Sequence, residues 1–402
     1  MRHLAQSRRR RSTRIIIALV LLASAGGVVA EVLLRALESG ANGLPIQAQI
    51  EIADRIANPP FVPDPELGAV MKPSGQFAIT TPDYSYTLRT DHAGFPNLDP
   101  WPKHVDIAVL GNSLIAGAGV GYEGQFTTLL EREFGAGTVL NFGVHGGGTE
   151  QQLREYRKFA APLHPKLVIA VLWLTWEIDN SLKFRDWLDE SGRPDFTTYS
   201  KTQRSVDPLE QVRGVLRRTT EMSYLLRVAH QASKTLRGLR EPNVERVVLG
   251  NGDVIYLSRN DESRLMSGWR RPGTPDIHRV FFAPLEQLKA EVETGGARFL
   301  VVLVPSKEEL YAATEFPDVL QPVLEARMEL AARRIPTLDL YPVFAESAPL
   351  RPAFFRVDPH PNAFGHRIIA EALAMAINVD TDRNGAAPVK SKLPRFHGHL
   401  GM

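Results

Sequence analysis

From Val105 onward the chain repeats one pattern, a short apolar run followed by a segment with apolar residues at helical spacing. Apolar runs of about four to eight residues are strands buried on both faces, and helices between them make such strands parallel. The strands predicted are 105–110, 138–142, 167–174, 298–304 and 337–340, and the helices are 124–134, 149–160, 276–294, 318–333 and 362–377. The expected fold is therefore a three-layer α/β/α sandwich with a central parallel sheet over 101–378. In such a sheet a ligand site lies at the carboxyl ends of the strands.

The segments outside this core carry other signals. Arg2, Arg8, Arg9, Arg10, Arg11 and Arg14 precede Ile15 to Ala30, which bears no charge, and apolar character continues past Glu31 to Leu37. A basic flank before an apolar run is the pattern of a secretory signal or a signal anchor. The length favours an anchor over 15–37, with 1–14 in the cytoplasm and the rest periplasmic or extracellular. Residues 38–100 hold Pro59, Pro60, Pro63, Pro65 and Pro73, too closely spaced for a helix, and read as a stalk and irregular lead-in. An insertion at 183–275 shows a hairpin about Asn251-Gly252 and a helical stretch, 209–239, with Arg213, Arg217, Arg218, Arg227 and Arg237. Those arginines fit a solvated face better than a surface for an anionic polymer. Residues 379–402 are polar and read as a flexible tail.

Lys plus Arg number 47 against 45 Asp plus Glu, so no electrostatic excess points to nucleic acid as a partner. With no cysteine, disulfides, thiolate metal sites and a cysteine nucleophile are excluded. No His-x-x-x-His pair falls on a predicted helix, and neither a metal nor a cofactor is expected.

Three strand-end motifs carry the chemistry. The first strand runs into Leu110-Gly111-Asn112-Ser113, which alone is either a turn or a nucleophile loop. The second ends in Asn141-Phe142-Gly143-Val144-His145-Gly146-Gly147-Gly148, either a tight strand-to-helix turn or a place where N–H groups approach a bound oxygen. Its glycines lack the lysine of a P-loop. Asp358-Pro359-His360 stands before the last helix, and an Asp close to a His can fix the imidazole tautomer that a serine needs in its base. His366, farther along, reads as a histidine on the helix surface.

Together and in this order, the motifs resemble those of the SGNH/GDSL hydrolases, in the manner of a membrane-anchored bacterial SGNH hydrolase-like protein. The likeness runs from about Phe61 to Leu373 and includes fainter echoes in Thr90-Asp91-His92-Ala93-Gly94-Phe95 and Val304-Pro305-Ser306-Lys307. It implies Ser113 as nucleophile, His360 as general base and Asp358 as its orienting acid, with N–H groups of Ser113 and Gly143 in the oxyanion hole. The Asp-x-His spacing is also similar to that of bacterial polysaccharide O-acetylation proteins. Two positions depart from the family. Asn112 replaces its Asp, and the third block, Trp173-Leu174-Thr175-Trp176-Glu177-Ile178-Asp179-Asn180, lacks its oxyanion Asn, leaving Thr175 as the nearest polar substitute and Asn180 to close the loop.

The resemblance implies a serine esterase acting on acyl, above all O-acetyl, esters of envelope or extracellular glycans. Alternatives are O-acyl transfer to a polysaccharide, or a non-catalytic protein that binds glycan or an envelope-biosynthesis partner. The expected partners are thus an acylated glycan or other ester, the membrane through 15–37, and such envelope proteins.

Overall fold

The computed structural model describes residues 61–190, 244–258, 261–262, 265, 269, 277–348 and 351–383. The anchor, the basic segment before it, residues 38–60, the arginine-bearing stretch 209–239 and residues 384–402 lie outside the described residues. Among the described residues, no helix is long and apolar enough to cross a membrane.

Five strands form the central sheet: β5 (Ile107–Gly111), β6 (Val139–Gly143), β7 (Leu167–Leu172), β10 (Arg298–Leu303) and β11 (Thr337–Asp339). Their order is β11-β10-β7-β5-β6 and every pairing is parallel. Alternate residues feed two cores, because successive side chains of a strand point to opposite faces. Ala108 and Leu110 join one with Leu153, Ile178, Phe281 and Leu330, from α2 (Thr149–Glu155), α3 (Leu174–Asp189), α4 (Ile277–Thr294) and α6 (Gln321–Ala332). Ile107 and Val109 join the other with Phe126, Leu310, Phe344 and Ile369, from α1 (Phe126–Phe134), α5 (Lys307–Tyr311), α7 (Tyr341–Ser347) and α8 (Ala363–Arg383). The layers are those expected, and the order reverses beside β5, so the crevice at the end of that strand is the natural ligand position.

Three expectations need correction. Residues 61–89, expected as irregular, form two antiparallel hairpins: β1 (Phe61–Asp64) with β2 (Gly68–Met71), and β3 (Gln76–Thr80) with β4 (Ser85–Arg89). Their prolines do not oppose this: Pro63 sits on a two-stranded edge, while Pro73 and Pro82 lie between strands. The third block is a sixteen-residue helix, α3, in place of a loop, and it takes up the beginning of the expected insertion. Helix α8 continues to Arg383, into the expected tail. The hairpin about Asn251-Gly252 is present as β8 (Val244–Val248) and β9 (Val254–Ser258).

The Asp91 echo docks the lead-in against edge strand β6. Asp91 accepts N–H groups from Ala93 and Phe95 and side-chain bonds from Asn97 and Trp101, each at 2.9 Å. Asn97 then pairs with both backbone groups of Asn141, at 2.9 and 2.8 Å, covering an edge that would otherwise be open.

Candidate active site

After Gly111 the chain turns sharply. The Asn112 carbonyl accepts the N–H groups of Ile115 and Ala116, both at 3.0 Å, and its side-chain oxygen accepts that of Leu114 at 3.0 Å. Asn141 clasps the same turn by donating to the Ile115 carbonyl at 2.6 Å. Ser113 is left partly exposed, and its N–H has no hydrogen-bond partner among the described residues.

A second loop approaches from the far end of the chain. Phe354 and Pro361 form an antiparallel bridge, and the Phe355 N–H donates to the His360 carbonyl at 3.1 Å, closing a tight loop around Arg356 to Pro359. Asn362 caps α8 by accepting the N–H groups of Phe364 and Gly365, at 2.9 and 3.2 Å. His360 therefore hangs just ahead of a fixed helix start.

The two loops meet. Ser113 Oγ lies 2.7 Å from His360 Nε2, and His360 Nδ1 lies 2.7 Å from Asp358 Oδ1, which also accepts the His360 N–H at 2.9 Å. The other Asp358 oxygen accepts the Tyr84 hydroxyl at 3.0 Å. Burial alone would push the Asp358 carboxyl up, but the charge of His360 and bonds from His360 and Tyr84 hold it below the usual carboxylate range. Trp173, at the end of β7, packs its indole 5.0 Å from the imidazole.

The two expected oxyanion donors, Gly143 and Thr175, are held differently. Gly143 donates its N–H to Asn141 Oδ1 at 2.8 Å, so that group is already engaged. Its lack of a side chain has another cause: a Cβ there would come within 2.4 Å of the Ala116 nitrogen and 2.7 Å of the Ile115 carbonyl carbon. Thr175 is buried in the first turn of α3, with its hydroxyl unpartnered among the described residues and turned away from solvent. Asn180 donates to the Gly147 carbonyl at 3.3 Å and so braces the glycine turn. That turn abuts the nucleophile: a Cβ on Gly147 would lie 3.9 Å from the Asn112 Cα. Gly146, in the left-handed region at φ 76°, has an N–H without a partner among the described residues.

Sequence reasoning missed the acids behind the nucleophile. Asn112 Nδ2 donates to Glu177 Oε2 at 2.5 Å, and Gln152 donates to Glu177 Oε1 at 2.6 Å. Burial pushes Glu177 up to about 8. Glu155, buried beside it, is also raised, first by burial and then by the charge of Glu177. His366 is not on the helix surface: it is buried, and its Nδ1 accepts the Phe126 N–H at 3.2 Å. Burial and the neighbouring His360 push both His366 and His145 down to about 3, so neither competes as a base near neutrality.

Residues 281–395 match the family model described as ALGX, SGNH hydrolase-like domain, acetyltransferase AlgX, a span that includes Asp358 and His360 but not Ser113. Among curated proteins none matches significantly in sequence. Solved structures similar to this chain include a lipase/acylhydrolase from Enterococcus faecalis, with 13% identity over 71% of this chain and 100% of that one and a TM-score of 0.35. A member of the lipolytic G-D-S-L family from Veillonella parvula DSM 2008 is 12% identical over 68% and 98%, with a TM-score of 0.35. A catalytic mutant of an acetylxylan esterase from Geobacillus stearothermophilus is 13% identical over 69% and 96%, with a TM-score of 0.34. In the family model over its C-terminal third, and in a serine, an aspartate and a histidine joined in this chain order at the sheet edge, the chain is similar to the SGNH hydrolase-like superfamily.

Proposed function

We propose that the chain is a serine esterase acting on O-acyl, principally O-acetyl, esters of envelope or extracellular glycans, held outside the cytoplasm by residues 15–37. The observation that carries this reading is the unbroken hydrogen-bond chain from Ser113 through His360 to Asp358, each side-chain link 2.7 Å long. Ser113 Oγ attacks the ester carbonyl while His360 Nε2 takes its proton. Asp358, already ionised, steadies the imidazolium. The unpartnered N–H groups of Ser113 and Gly146 are the candidates to receive the oxyanion of the tetrahedral intermediate. When that intermediate collapses, His360 returns the proton to the leaving sugar oxygen, and the acyl group stays on Ser113. Water, deprotonated by the same imidazole, then releases the acid.

A second reading replaces that water with a sugar hydroxyl, so the acyl group is transferred. The acetyltransferase description of the matching family model favours it. A non-catalytic glycan- or partner-binding role is the third, suggested by the altered third block. The full chain, purified in detergent, is to be treated with a serine-directed fluorophosphonate and compared with Ser113→Ala. Labelling of the wild type alone, with Ser113-dependent acetate release from acetylated glycan, is expected. Acylated acceptor appearing in place of acetate would establish transfer, and an unlabelled, inactive wild type would sink both enzymatic readings.

A further inference from the structure

The turn joining β3 to β4 belongs to neither core layer, yet its polar groups converge on the acid–base loop. Asp83 Oδ2 accepts the N–H groups of both Val357 and Asp358, each at 2.6 Å. Tyr84 donates to the Asp358 oxygen that His360 leaves free, and its ring lies 4.6 Å from that of Phe355. From the other side Lys307, the end of the second echo motif, donates to the carbonyls of Arg356 and Asp358 at 3.0 and 3.4 Å. The Tyr256 N–H of β9 also donates to the Arg356 carbonyl, at 2.8 Å.

We propose that the β3–β4 turn is a positioning element of the triad: Asp83 fixes the backbone of the acid–base loop, and Tyr84 holds the Asp358 carboxylate in the one orientation that serves His360. This rests on the esterase reading above and names what orients its acid. A carboxylate whose oxygens are each assigned a donor stays ionised and cannot swap them by rotation. Were the turn merely a surface hairpin, its buried carboxylate and half-buried phenol would have no reason to meet two consecutive residues of a loop some 270 positions away. Around Asp358 stand Tyr84, Tyr86, Asp83, Lys307 and His360. Around His360 the other ionisable rings are His145 and His366, both neutral near pH 7.

The test uses the full chain in detergent, with histidine ring nitrogens isotopically labelled. Tyr84→Phe keeps the ring against Phe355 and removes only the donated bond. Without it the carboxylate can turn out of line with the imidazole and the imidazolium is less well stabilised, so the His360 titration midpoint read by NMR should fall by about half a unit or more. Fluorophosphonate labelling of Ser113 should slow about tenfold. Asp83→Ala should slow labelling further, while Asp83→Asn, which keeps an acceptor oxygen, should restore most of the rate. Ser85→Ala, on the same turn but facing Thr80, serves as control. A His360 midpoint in Tyr84→Phe that is unchanged or raised, in protein that unfolds at the wild-type temperature, overturns the proposal. If the wild type is never labelled, the esterase reading falls by itself, and the titration still decides whether the turn positions the pair.

Discussion

Asn112 and Glu177 share a 2.5 Å hydrogen bond directly beside the nucleophile, so the position where the family carries an acid is here an amide facing an acid from another element. A second buried amide, Gln152, donates to the other carboxyl oxygen. Even so, burial outweighs these bonds and keeps Glu177 protonated to about pH 8. The carboxyl of this site is thus moved from the nucleophile turn to α3, with its charge largely suppressed.

A stability consequence follows from the sign of that shift. The folded chain holds a proton that the unfolded chain releases near its ordinary 4.5, so the contribution is complete below that pH and is lost as pH rises through about 8. At about 1.4 kcal/mol per unit, the whole effect is on the order of a few kcal/mol. In Glu177→Gln, the Gln152 amide can turn over and present its currently unpartnered oxygen to the new NH₂ group. The unfolding temperature of this variant should fall less than that of the wild type between about pH 5 and 8.5. An equal fall in both proteins would show that Glu177 does not carry the proton.

Returning the family's acid to its usual place should harm this chain. Asn112→Asp sets two carboxyl groups within hydrogen-bonding distance in a buried site, where only one can ionise. The expected loss is about 2–4 kcal/mol near pH 8 and less near pH 5, where a shared proton relieves the repulsion. Adding Glu177→Gln should recover most of it, and a double-mutant cycle by urea unfolding measures the coupling. Additive single-variant effects would mean the two side chains do not interact.

Gly143 and Gly146 should differ in how alanine affects labelling of Ser113. At Gly143 the added Cβ meets backbone atoms of Ile115 and Ala116 below any real contact distance, so the nucleophile turn must move. Gly143→Ala should cost about 1–3 kcal/mol and sharply slow labelling of Ser113. Gly146→Ala meets open space and pays only the strain of its left-handed backbone, about 1–2 kcal/mol, with the N–H retained. Comparable labelling losses in both would contradict this assignment of their roles.

The sheet was legible because β5, β6, β7 and β10 are short apolar runs, and the triad because its residues stand in recognisable motifs at strand ends. What the sequence concealed lies in polar residues whose partners are distant in the chain. Tyr84, Tyr86 and Leu88 alternate as a strand should, but the neighbouring prolines dominate the segment. In α3 the helical spacing of Leu174, Ile178 and Leu182 is blurred by Thr175, Glu177 and Ser181, which are polar yet buried beside them. Burial of Glu177 is intelligible only once Asn112 and Gln152 are known to face it. The engagement of the Gly143 N–H by Asn141 likewise depends on a side-chain rotamer that residue spacing does not encode.

Lys307 supplies the last prediction. It is fully buried, its ammonium bonded to the Arg356 and Asp358 carbonyls, with Glu308, Asp83, Asp358 and Asp261 contributing favourable charge. Burial nevertheless dominates and pulls its pKa down from 10.5 to about 8. Below about pH 8 the folded state bears the cost of a desolvated ammonium; between 8 and 10.5 it sheds the proton before the unfolded chain does, so this group's contribution to stability rises with pH. Lys307→Met fills similar volume but strips the donor from the Asp358 carbonyl and leaves Asp83 and Asp358 without their buried counter-charge. Removing one partner of such a cluster costs about 3–5 kcal/mol, because the charges left behind stay desolvated. Unfolding free energies of wild type and variant, measured from about pH 7 to 10, should therefore differ by that amount at the acid end and diverge further as the wild type alone gains. Ser113 labelling should slow in parallel, since the acid–base loop loses its floor. A variant as stable as the wild type that labels at the same rate would show that the loop is held without Lys307.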